Sequence, residues 1–436
     1  MRRDVAVTGL GVVSPLGTTT EENWDALLAG KHMPGPISAF DCPAAFPSQS
    51  AGEIKRFDPR SYGIKPKSLK LMNRTIQYAL AAAQLALNDA GACRDDACPA
   101  EAGLNLGVDG IQYSADDFFL SSYEAVGKDM RKYYANDVRE AGGPVTLNDP
   151  DKAVHPLWPL SVLSNMGLCH VAIQHDLQGP NAAYSSIDAG GAQAIGEAAK
   201  SIRQGECDVY LAGGSYALNT MHFLSLASLG LLARECSDCR PFHSGSSGCL
   251  VGEGAVILVL EEKGRALKRG ARIYAEIAGY AACFNAAADM FSSGSVCPDG
   301  DGLELCIRRA LADAGCAADE IAYISSDAKG IAVQDRTEAG VLNRLFCEHG
   351  CRVPVGMTKA LTGHMLPASG AFNALNAVLS VHHGCVPPSG GAVGSDMCGG
   401  LSVSEAPQQL TVPCALSHTF GLSGEHTALV IKENTI

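Results

Sequence analysis

Positive charge, long apolar runs and low-complexity stretches are all scarce in this sequence. Its 436 residues include 33 lysines and arginines against 46 aspartates and glutamates, which gives a formal charge of −13. Because nucleic acid binding requires a basic surface, this balance argues against a nucleic acid partner. No apolar stretch approaches the length that spans a membrane, so we expect no membrane partner. One basic cluster, interpreted as solvated surface, consists of Lys65, Lys67, Lys70 and Arg74.

Cysteine, in contrast, is abundant, with 17 residues scattered along the chain. Met1–Asp4 leads directly into the apolar run Val5–Val13, which is too short for a secretory signal with its cleavage site. We therefore expect reduced thiols in a cytoplasmic protein. Cys236–Cys239 and Cys347–Cys351 contain residue types that bind zinc. Neither has a second ligand pair at a useful spacing, so we predict no metal.

Short apolar runs alternate with amphipathic segments along the chain. A helix is predicted over Ile76–Ala90, and strands are predicted over Val5–Val13, Val209–Ala212, Ala255–Leu260, Ile324–Asp327 and Ala428–Ile431. We expect a glycine turn at Gly213 and Gly214, directly after the second of these strands. The polar segment from about 125 to 151 lacks clear periodicity and is predicted to be a surface excursion. The alternation indicates layered α/β sheets with helices packed between or outside them.

Six short motifs are more specific than this periodicity: Val5–Gly17, Ile76–Ala83, Asp208–Gly214, Arg240–Phe242 with Gly252–Ala255, Thr358–Ala371, and Phe420–Gly424. In their order and spacing they resemble the β-ketoacyl synthases of fatty-acid and polyketide assembly, over nearly the whole chain. The resemblance implies the thiolase-like α/β fold, a five-layered αβαβα sandwich of two similar halves that is usually dimeric. On this basis we divide the chain into halves at 1–265 and 266–436, and we expect no cofactor.

The chemistry of that family uses a cysteine at a helix N-terminus, two histidines and a lysine. The helix dipole favours the thiolate, and the histidines donate hydrogen bonds to the thioester oxygen as carbon dioxide leaves. The resemblance places Asp188 where the cysteine belongs and Asp327 where the first histidine belongs. Lys359 and His364 remain in place, whereas Leu422 replaces an aromatic residue of the gating loop. Two of the four catalytic side chains are therefore missing.

The substitutions have direct physical consequences. A carboxylate cannot hold a growing chain as a thioester, and we expect Asp188 to cap the helix predicted over Ala189–Arg203. Asp327, when ionised, offers no hydrogen to an oxyanion. Two aspartates in one pocket are expected to raise the pKa of one of them, although Lys359 opposes this. We interpret His364 and Lys359 as inherited scaffold, with the lysine paired to one of the aspartates.

Within the family, the pattern is similar to chain length factors, the β-subunits of type II polyketide ketosynthases. They lack the cysteine and carry a segment that Ser326–Ala328 resembles. The resemblance implies a non-catalytic subunit of a 3-oxoacyl-ACP synthase, which pairs with an active ketosynthase and shapes the acyl tunnel. An acyl carrier protein would then bind mainly through the partner. Retention of His364 points toward the pairs that make reduced polyenes.

The family's subunit contact follows the strand that corresponds to Leu104–Val108. Tyr113, Phe118 and Phe119 are therefore candidates for the gate residues that stop chain growth, with ordinary packing as the alternative for each.

Two other hypotheses remain open. One is a repurposed enzyme that acts on acyl carrier protein thioesters as a decarboxylase, dehydratase or acyltransferase, using Asp188, His364 and Lys359. The other is a scaffold that stabilises its partner without shaping the tunnel.

Overall fold

The structure is a computed structural model that describes residues 3–40, 42, 46–91, 101–110, 157, 159–285, 299–347, 352–391 and 394–434. Its strands are β1 Val5–Val13, β2 Gly35–Pro36, β3 Ser50–Gly52, β4 Gly103–Gly107, β5 Asn181–Tyr184, β6 Val209–Tyr216, β7 Val251–Gly252, β8 Gly254–Glu262, β9 Ala275–Phe284, β10 Tyr323–Ser325, β11 Pro354–Gly356, β12 Cys385–Val386, β13 Ser402–Val403, β14 Gln408–Gln409, β15 Cys414–Phe420 and β16 Glu425–Lys432. Its α-helices are α1 Thr20–Leu28, α2 Arg74–Asp89, α3 Pro159–Val162, α4 Met166–His175, α5 Gly190–Gln204, α6 Thr220–Ser228, α7 Lys263–Lys268, α8 Asp301–Ala314, α9 Ala332–Phe346, α10 Lys359–Thr362 and α11 Pro367–His383.

The large sheet contains the same strand pattern twice. In one half, β5, β4 and β6 run parallel and β8 and β1 follow antiparallel. In the other half, β11, β10 and β15 run parallel and β16 and β9 follow antiparallel. The two halves join where β1 pairs with β9 through Ala6 and Val7.

Helices lie between and outside these two halves of the sheet. Helices α5 and α11 pack on each other and on strands of both halves, while α2 covers β1 and β8 and α8 covers β9 and β16. Every residue of α11 from Pro367 to Val381 is buried, as expected for a helix enclosed on all sides. This is the predicted αβαβα arrangement, so the α/β thiolase-like fold is confirmed. The division at 265 and 266 stays a prediction, and the excursion at 125–151 lies outside the described residues.

The predicted helix over Ile76–Ala90 and the strand over Val5–Val13 are confirmed by α2 and β1. The prediction of a glycine turn at Gly213 and Gly214 is wrong, because β6 continues through both residues. A Cβ atom on Gly213 would lie 1.8 Å from the carbonyl oxygen of Val256, and one on Gly214 would lie 2.5 Å from that of Pro367. These glycines permit close approach of neighbouring backbone rather than a turn.

The structure also bears on the basic cluster, on membrane-spanning segments and on metal ligands. The side chains of the basic cluster at 65–74 are exposed. Among the described residues, no helix is long and apolar enough to cross a membrane, and no group of three potential metal ligands occurs. Cys236 and Cys239 are free thiols, and residues 348–351 lie outside the described ranges.

Candidate functional site

The candidate site forms where loops leave the carboxyl ends of parallel strands. Asp188 follows β5, Asp327 follows β10, Lys359 lies in α10 after β11, and Leu422 follows β15. Because β10, β11 and β15 are parallel neighbours, their loops emerge at one edge of the sheet. The loop with Asp188 approaches this edge from the other half.

Glycines bring the start of α5 close to the neighbouring elements. A Cβ atom on Gly107 would lie 2.2 Å from the backbone nitrogen of Gly191, and one on Gly191 would lie 2.4 Å from the carbonyl oxygen of Pro367. Only residues without a side chain fit such contacts. The loop that carries Asp188 is thereby held against the start of α11.

Asp188 is fully buried and accepts three hydrogen bonds. Its Oδ1 lies 2.6 Å from His364 Nε2, and its Oδ2 accepts from the backbone N–H of Leu422 at 2.7 Å and from Lys329 Nζ at 3.2 Å. The prediction that Asp188 caps the helix is wrong. The residue before α5 is Ala189, and the helix has no side-chain cap, because the carboxylate turns toward these other donors.

Lys329, which the sequence analysis did not single out, joins the two aspartates. Its side chain is 1% exposed. Its Nζ lies 3.2 Å from Asp188 Oδ2 and 2.9 Å from Asp327 Oδ2, and it donates to the carbonyl oxygen of Phe420 at 2.8 Å. Two of these contacts, to Asp188 and to Phe420, are hydrogen bonds, and the contact with Asp327 Oδ2 is an ion pair.

Lys359 pairs with Asp327, one of the two partners expected for it. Its Nζ donates to Asp327 Oδ1 and, at 2.6 Å, to the backbone carbonyl oxygen of the same residue. Asn373 Nδ2 donates to Oδ1 as well, at 3.3 Å. Asp327 is fully buried and, when ionised, only accepts hydrogen bonds.

His364 is buried between Asp188 and Ser369. Its Nδ1 lies 2.9 Å from Ser369 Oγ, and this hydroxyl oxygen also accepts the backbone N–H of Met365 at 2.8 Å. Because an ionised Asp188 can only accept, the ring carries its hydrogen on Nε2, and the Ser369 hydroxyl donates to Nδ1. The single N–H of the neutral ring is therefore committed to Asp188, and the hydroxyl of Ser369 is committed to the ring.

Glu425 closes the turn that carries Leu422. Its Oε1 accepts the backbone N–H of Asp188 at 3.2 Å, and its Oε2 accepts that of Ser423 at 3.1 Å. Burial, and then the charge of Asp188, raise the pKa of Glu425 to about 7. The backbone N–H groups of Asp188 and Leu422 are thus both occupied by carboxylates of this chain.

The charges of the site balance one another. Burial would raise the pKa of both aspartates, but Lys329 and then His364 lower the pKa of Asp188, and Lys329 and Lys359 lower that of Asp327. Burial lowers the pKa of His364, which favours the neutral ring. The expectation that one aspartate has a raised pKa is wrong, because Lys329 adds a second positive charge. Asp188, Asp327, Lys329 and Lys359 thus carry two negative and two positive charges, and the buried carboxyl groups of Glu338 and Glu425 lie directly beside these four.

Cys249 lies close enough to Lys329 for that charge to affect its pKa, but its thiol is not activated. Cys249 is fully buried, and burial raises its pKa to about 12, although the charge of Lys329 opposes this. At neutral pH it is therefore a protonated thiol rather than a thiolate. Within the described ranges, both carboxylate oxygens of Asp188 accept hydrogen bonds, whereas Asp327 Oδ2 has an ion pair with Lys329 but no hydrogen-bond partner.

The predicted gate residues Tyr113, Phe118 and Phe119 lie outside the described residues, so their role stays a prediction. The segment that precedes them, Val108–Gly110, lines a hollow together with Leu106 of β4. Leu422 is half-buried, and it takes part in the site through its backbone N–H rather than through its side chain.

Sequence reasoning missed Lys329, Ser369 and Glu425. A signal existed for Lys329, because it stands two residues after Asp327 at the end of a buried strand, close enough in sequence to pair with that carboxylate. Ser369 lies within the motif Thr358–Ala371 and Glu425 directly follows the motif Phe420–Gly424, but only the fold brings their side chains to the site.

Comparison with known proteins agrees with this architecture. The family model for the β-ketoacyl synthase N-terminal domain matches residues 2–266, and that for the C-terminal domain matches residues 274–392. The chain belongs to the β-ketoacyl synthase family. Among curated members, 3-oxoacyl-[acyl-carrier-protein] synthase 2 of Coxiella burnetii is 30% identical over 439 residues and 99% of each chain. The protein of the same name from Vibrio harveyi is 31% identical over 446 residues and 99% of each chain.

Solved structures of ketosynthases match this family member along its whole length. The structure described as the ishigamide ketosynthase/chain length factor matches with a TM-score of 0.83 and 29% identity, covering 100% of both chains. AntDE:AntF, described as a type II PKS acyl-carrier protein in complex with its ketosynthase bound to the hexaketide, matches with a TM-score of 0.81 and 26% identity, again over 100% of both chains.

Proposed function

We propose that this β-ketoacyl synthase family member is a catalytically silent subunit, a chain length factor, that pairs with an active ketosynthase in type II polyketide assembly. The observation that carries the proposal is the charge-balanced network at the position of the nucleophile. Asp188 stands there, both of its oxygens are occupied, and a carboxylate cannot carry a growing chain as a thioester.

The hydrogen-bond donors that condensation would need are also engaged. Stabilising a developing enolate requires N–H groups aimed at the thioester oxygen. Here the N–H of His364 is held by Asp188, the ammonium of Lys359 by Asp327, and the backbone N–H of Leu422 by Asp188. The same engagement weighs against the repurposed-enzyme hypothesis, since Asp188, His364 and Lys359 are all buried.

An open sheet edge supports a subunit partner. Strand β5 ends the large sheet, pairs there only with β4 among the described strands, and alternates exposed with half-buried residues. Ile187, just beyond β5, is 43% exposed, and Met221 and Leu224 in α6 are each 37% exposed. Because β5 and β6 run parallel to β4, these residues emerge at the same end of the sheet. Unpaired edges with apolar neighbours are typical of interfaces.

We assign the active ketosynthase to this edge, with an acyl carrier protein bound mainly through the ketosynthase. The names of two matched structures, a ketosynthase/chain length factor and a ketosynthase bound to an acyl-carrier protein, support these partner classes. In this proposal Tyr113, Phe118 and Phe119 contribute the gate that sets chain length, and a polyene product is the narrower expectation.

Native mass spectrometry of the tagged chain, purified gently from its host, tests the pairing. A one-to-one complex with a second ketosynthase-like chain that retains the cysteine would support the proposal. A stable homodimer without such a partner would contradict it and favour the repurposed enzyme, which predicts turnover of acyl carrier protein thioesters by the isolated chain.

Products of the reconstituted pair test the gate. Alanine at each of Tyr113, Phe118 and Phe119 should lengthen the products, measured by chromatography with mass detection. Unchanged lengths from all three variants would remove these residues as the gate. A lower yield of complex with unchanged length would favour the scaffold hypothesis.

A further inference from the structure

Two pairs of thiols connect the region of α8 to the sheet. Cys306 lies within α8, and its Sγ donates to the carbonyl oxygen of Ala281 at 3.3 Å, two residues before Cys283 on the same face of β9. Cys316 lies just beyond the end of α8, and its Sγ lies 3.5 Å from Cys414 Sγ in β15. Neither pair belongs to the charge network, and all four residues are free thiols.

The two pairs differ in exposure and in charge. Cys283 is half-buried, whereas Cys306, Cys316 and Cys414 are buried. Arg309, which is exposed on α8, places Nη1 3.8 Å from Cys283 Sγ. A guanidinium group beside an accessible sulfur favours the thiolate, which is the reactive form.

The acidity of the thiols follows the same division. Contact with Cys306, and then the charge of Arg309, lower the pKa of Cys283 to about 6 against the opposing effect of burial. Burial raises the pKa of both Cys316 and Cys414. One pair therefore combines a thiolate with an adjacent second thiol, and the other contains two protonated thiols.

We propose that Cys283 is a redox-modified residue that forms a disulfide with Cys306 on reaction with a hydroperoxide. The Cys283 thiolate attacks the terminal peroxide oxygen, the O–O bond breaks, and the alcohol leaves with one proton, or water leaves if the oxidant is hydrogen peroxide. The resulting sulfenic acid is attacked by the sulfur of Cys306, the S–O bond breaks, and the hydroxyl leaves as water with the Cys306 proton. Two electrons pass from the two sulfurs to the peroxide.

Pulsed alkylation of the full chain with iodoacetamide, resolved by site with mass spectrometry, tests the first step. At about pH 6 we expect Cys283 to react roughly 20-fold faster than Cys42, because its larger thiolate fraction outweighs its lower intrinsic nucleophilicity. Cys42 is also half-buried, and burial raises its pKa. Arg309→Met should move the pH profile of Cys283 upward. Arg308→Met, at an arginine that pairs with Glu304 instead, should leave it unchanged.

Hydrogen peroxide treatment followed by peptide mapping without reduction tests the second step. We expect a cross-linked peptide pair containing Cys283 and Cys306, and in the Cys306→Ser variant a sulfenic acid at Cys283 that dimedone traps. The proposal is overturned if Cys283 alkylates no faster than Cys42 at pH 6. It is also overturned if peroxide links Cys316 to Cys414 before it links Cys283 to Cys306.

Discussion

Replacing Lys329 with methionine removes one positive charge from the centre of the network and keeps much of the side-chain volume. The four charged groups Asp188, Asp327, Lys329 and Lys359 sum to zero, so the Lys329→Met variant holds a buried net charge of −1. Breaking a buried ion pair by removing one partner costs about 3–5 kcal/mol. We expect about 3 kcal/mol, because Asp188 keeps His364 and Leu422 as donors and Asp327 keeps Lys359.

The loss of stability should depend on pH. In the wild-type chain Lys329 and His364 hold the pKa of Asp188 low against burial, so its stabilisation is present above the unfolded pKa of about 3.9 and is lost only in stronger acid. In Lys329→Met, burial prevails and the folded pKa rises above that value. The variant then loses stability as the pH rises from about 4 through its new pKa, so the difference from wild type should be larger near pH 7.5 than near pH 5.

Urea unfolding at both pH values, followed by circular dichroism at fixed protein concentration, measures this difference. Lys67→Met, at an exposed lysine, is the matched control and should change the free energy of unfolding by less than about 0.5 kcal/mol. Adding Asp188→Asn to Lys329→Met restores charge balance and should recover part of the loss. Equal stability of Lys329→Met and wild type near pH 7.5, or a double variant no better than the single, would refute the reasoning.

Three further outcomes follow from the structure. The isolated wild-type chain should gain no acyl mass from an acyl carrier protein thioester, because Asp188 cannot hold a thioester; an added acyl group in intact-mass spectra would contradict the proposed catalytic silence, and a ketosynthase that retains its cysteine is the positive control. Gly107→Ala should lower the urea midpoint, because its Cβ would lie 2.2 Å from the nitrogen of Gly191. Gly340→Ala, at a helix position with room for a Cβ atom, should raise the free energy of unfolding by about 0.5–1 kcal/mol. Equal effects of the two substitutions would count against the packing argument. Burial and Asp188 raise the pKa of Glu425 from 4.5 to about 7, so the stability that this group contributes should fall as the pH rises from about 4.5 through about 7. Glu425→Gln should reduce that slope, and an unaltered slope would argue against a raised pKa of Glu425 as its cause.

Local pattern predicted the individual elements well and the backbone contacts poorly. Strand β1 and helix α2 agree with prediction because nine consecutive buried residues and a helical apolar face are visible within short windows. The prediction of a turn at Gly213 and Gly214 failed because glycine occurs both in turns and where two backbone segments approach closely. The approaching atom, the carbonyl oxygen of Val256, belongs to a strand about forty residues later. Pairing of the two halves came from the family resemblance, since periodicity carries no strand order.

At the candidate site, the resemblance predicted which positions matter but not what they contact. Capping is a local interaction, so it was the expectation for Asp188. The donors that it meets are His364, Lys329 and the N–H of Leu422, which lie 176, 141 and 234 residues away in sequence. No window of sequence reveals such partners. The contact of Lys329 with Asp188 likewise spans 141 residues, so its place between the two aspartates was missed, and with it the lowered pKa of both.

The charge balance of the network also constrains how this chain can evolve. A single substitution that returned a thiol to position 188 would leave Lys329 and Lys359 facing one carboxylate, with a buried net charge of +1. A single loss of Lys329 would leave −1. Each of these two single substitutions is therefore expected to lower the stability of the protein, and a change that keeps the four charges balanced requires at least two substitutions. Changes within this network are therefore expected to occur in compensating pairs, whereas exposed positions elsewhere can change singly at little cost in stability.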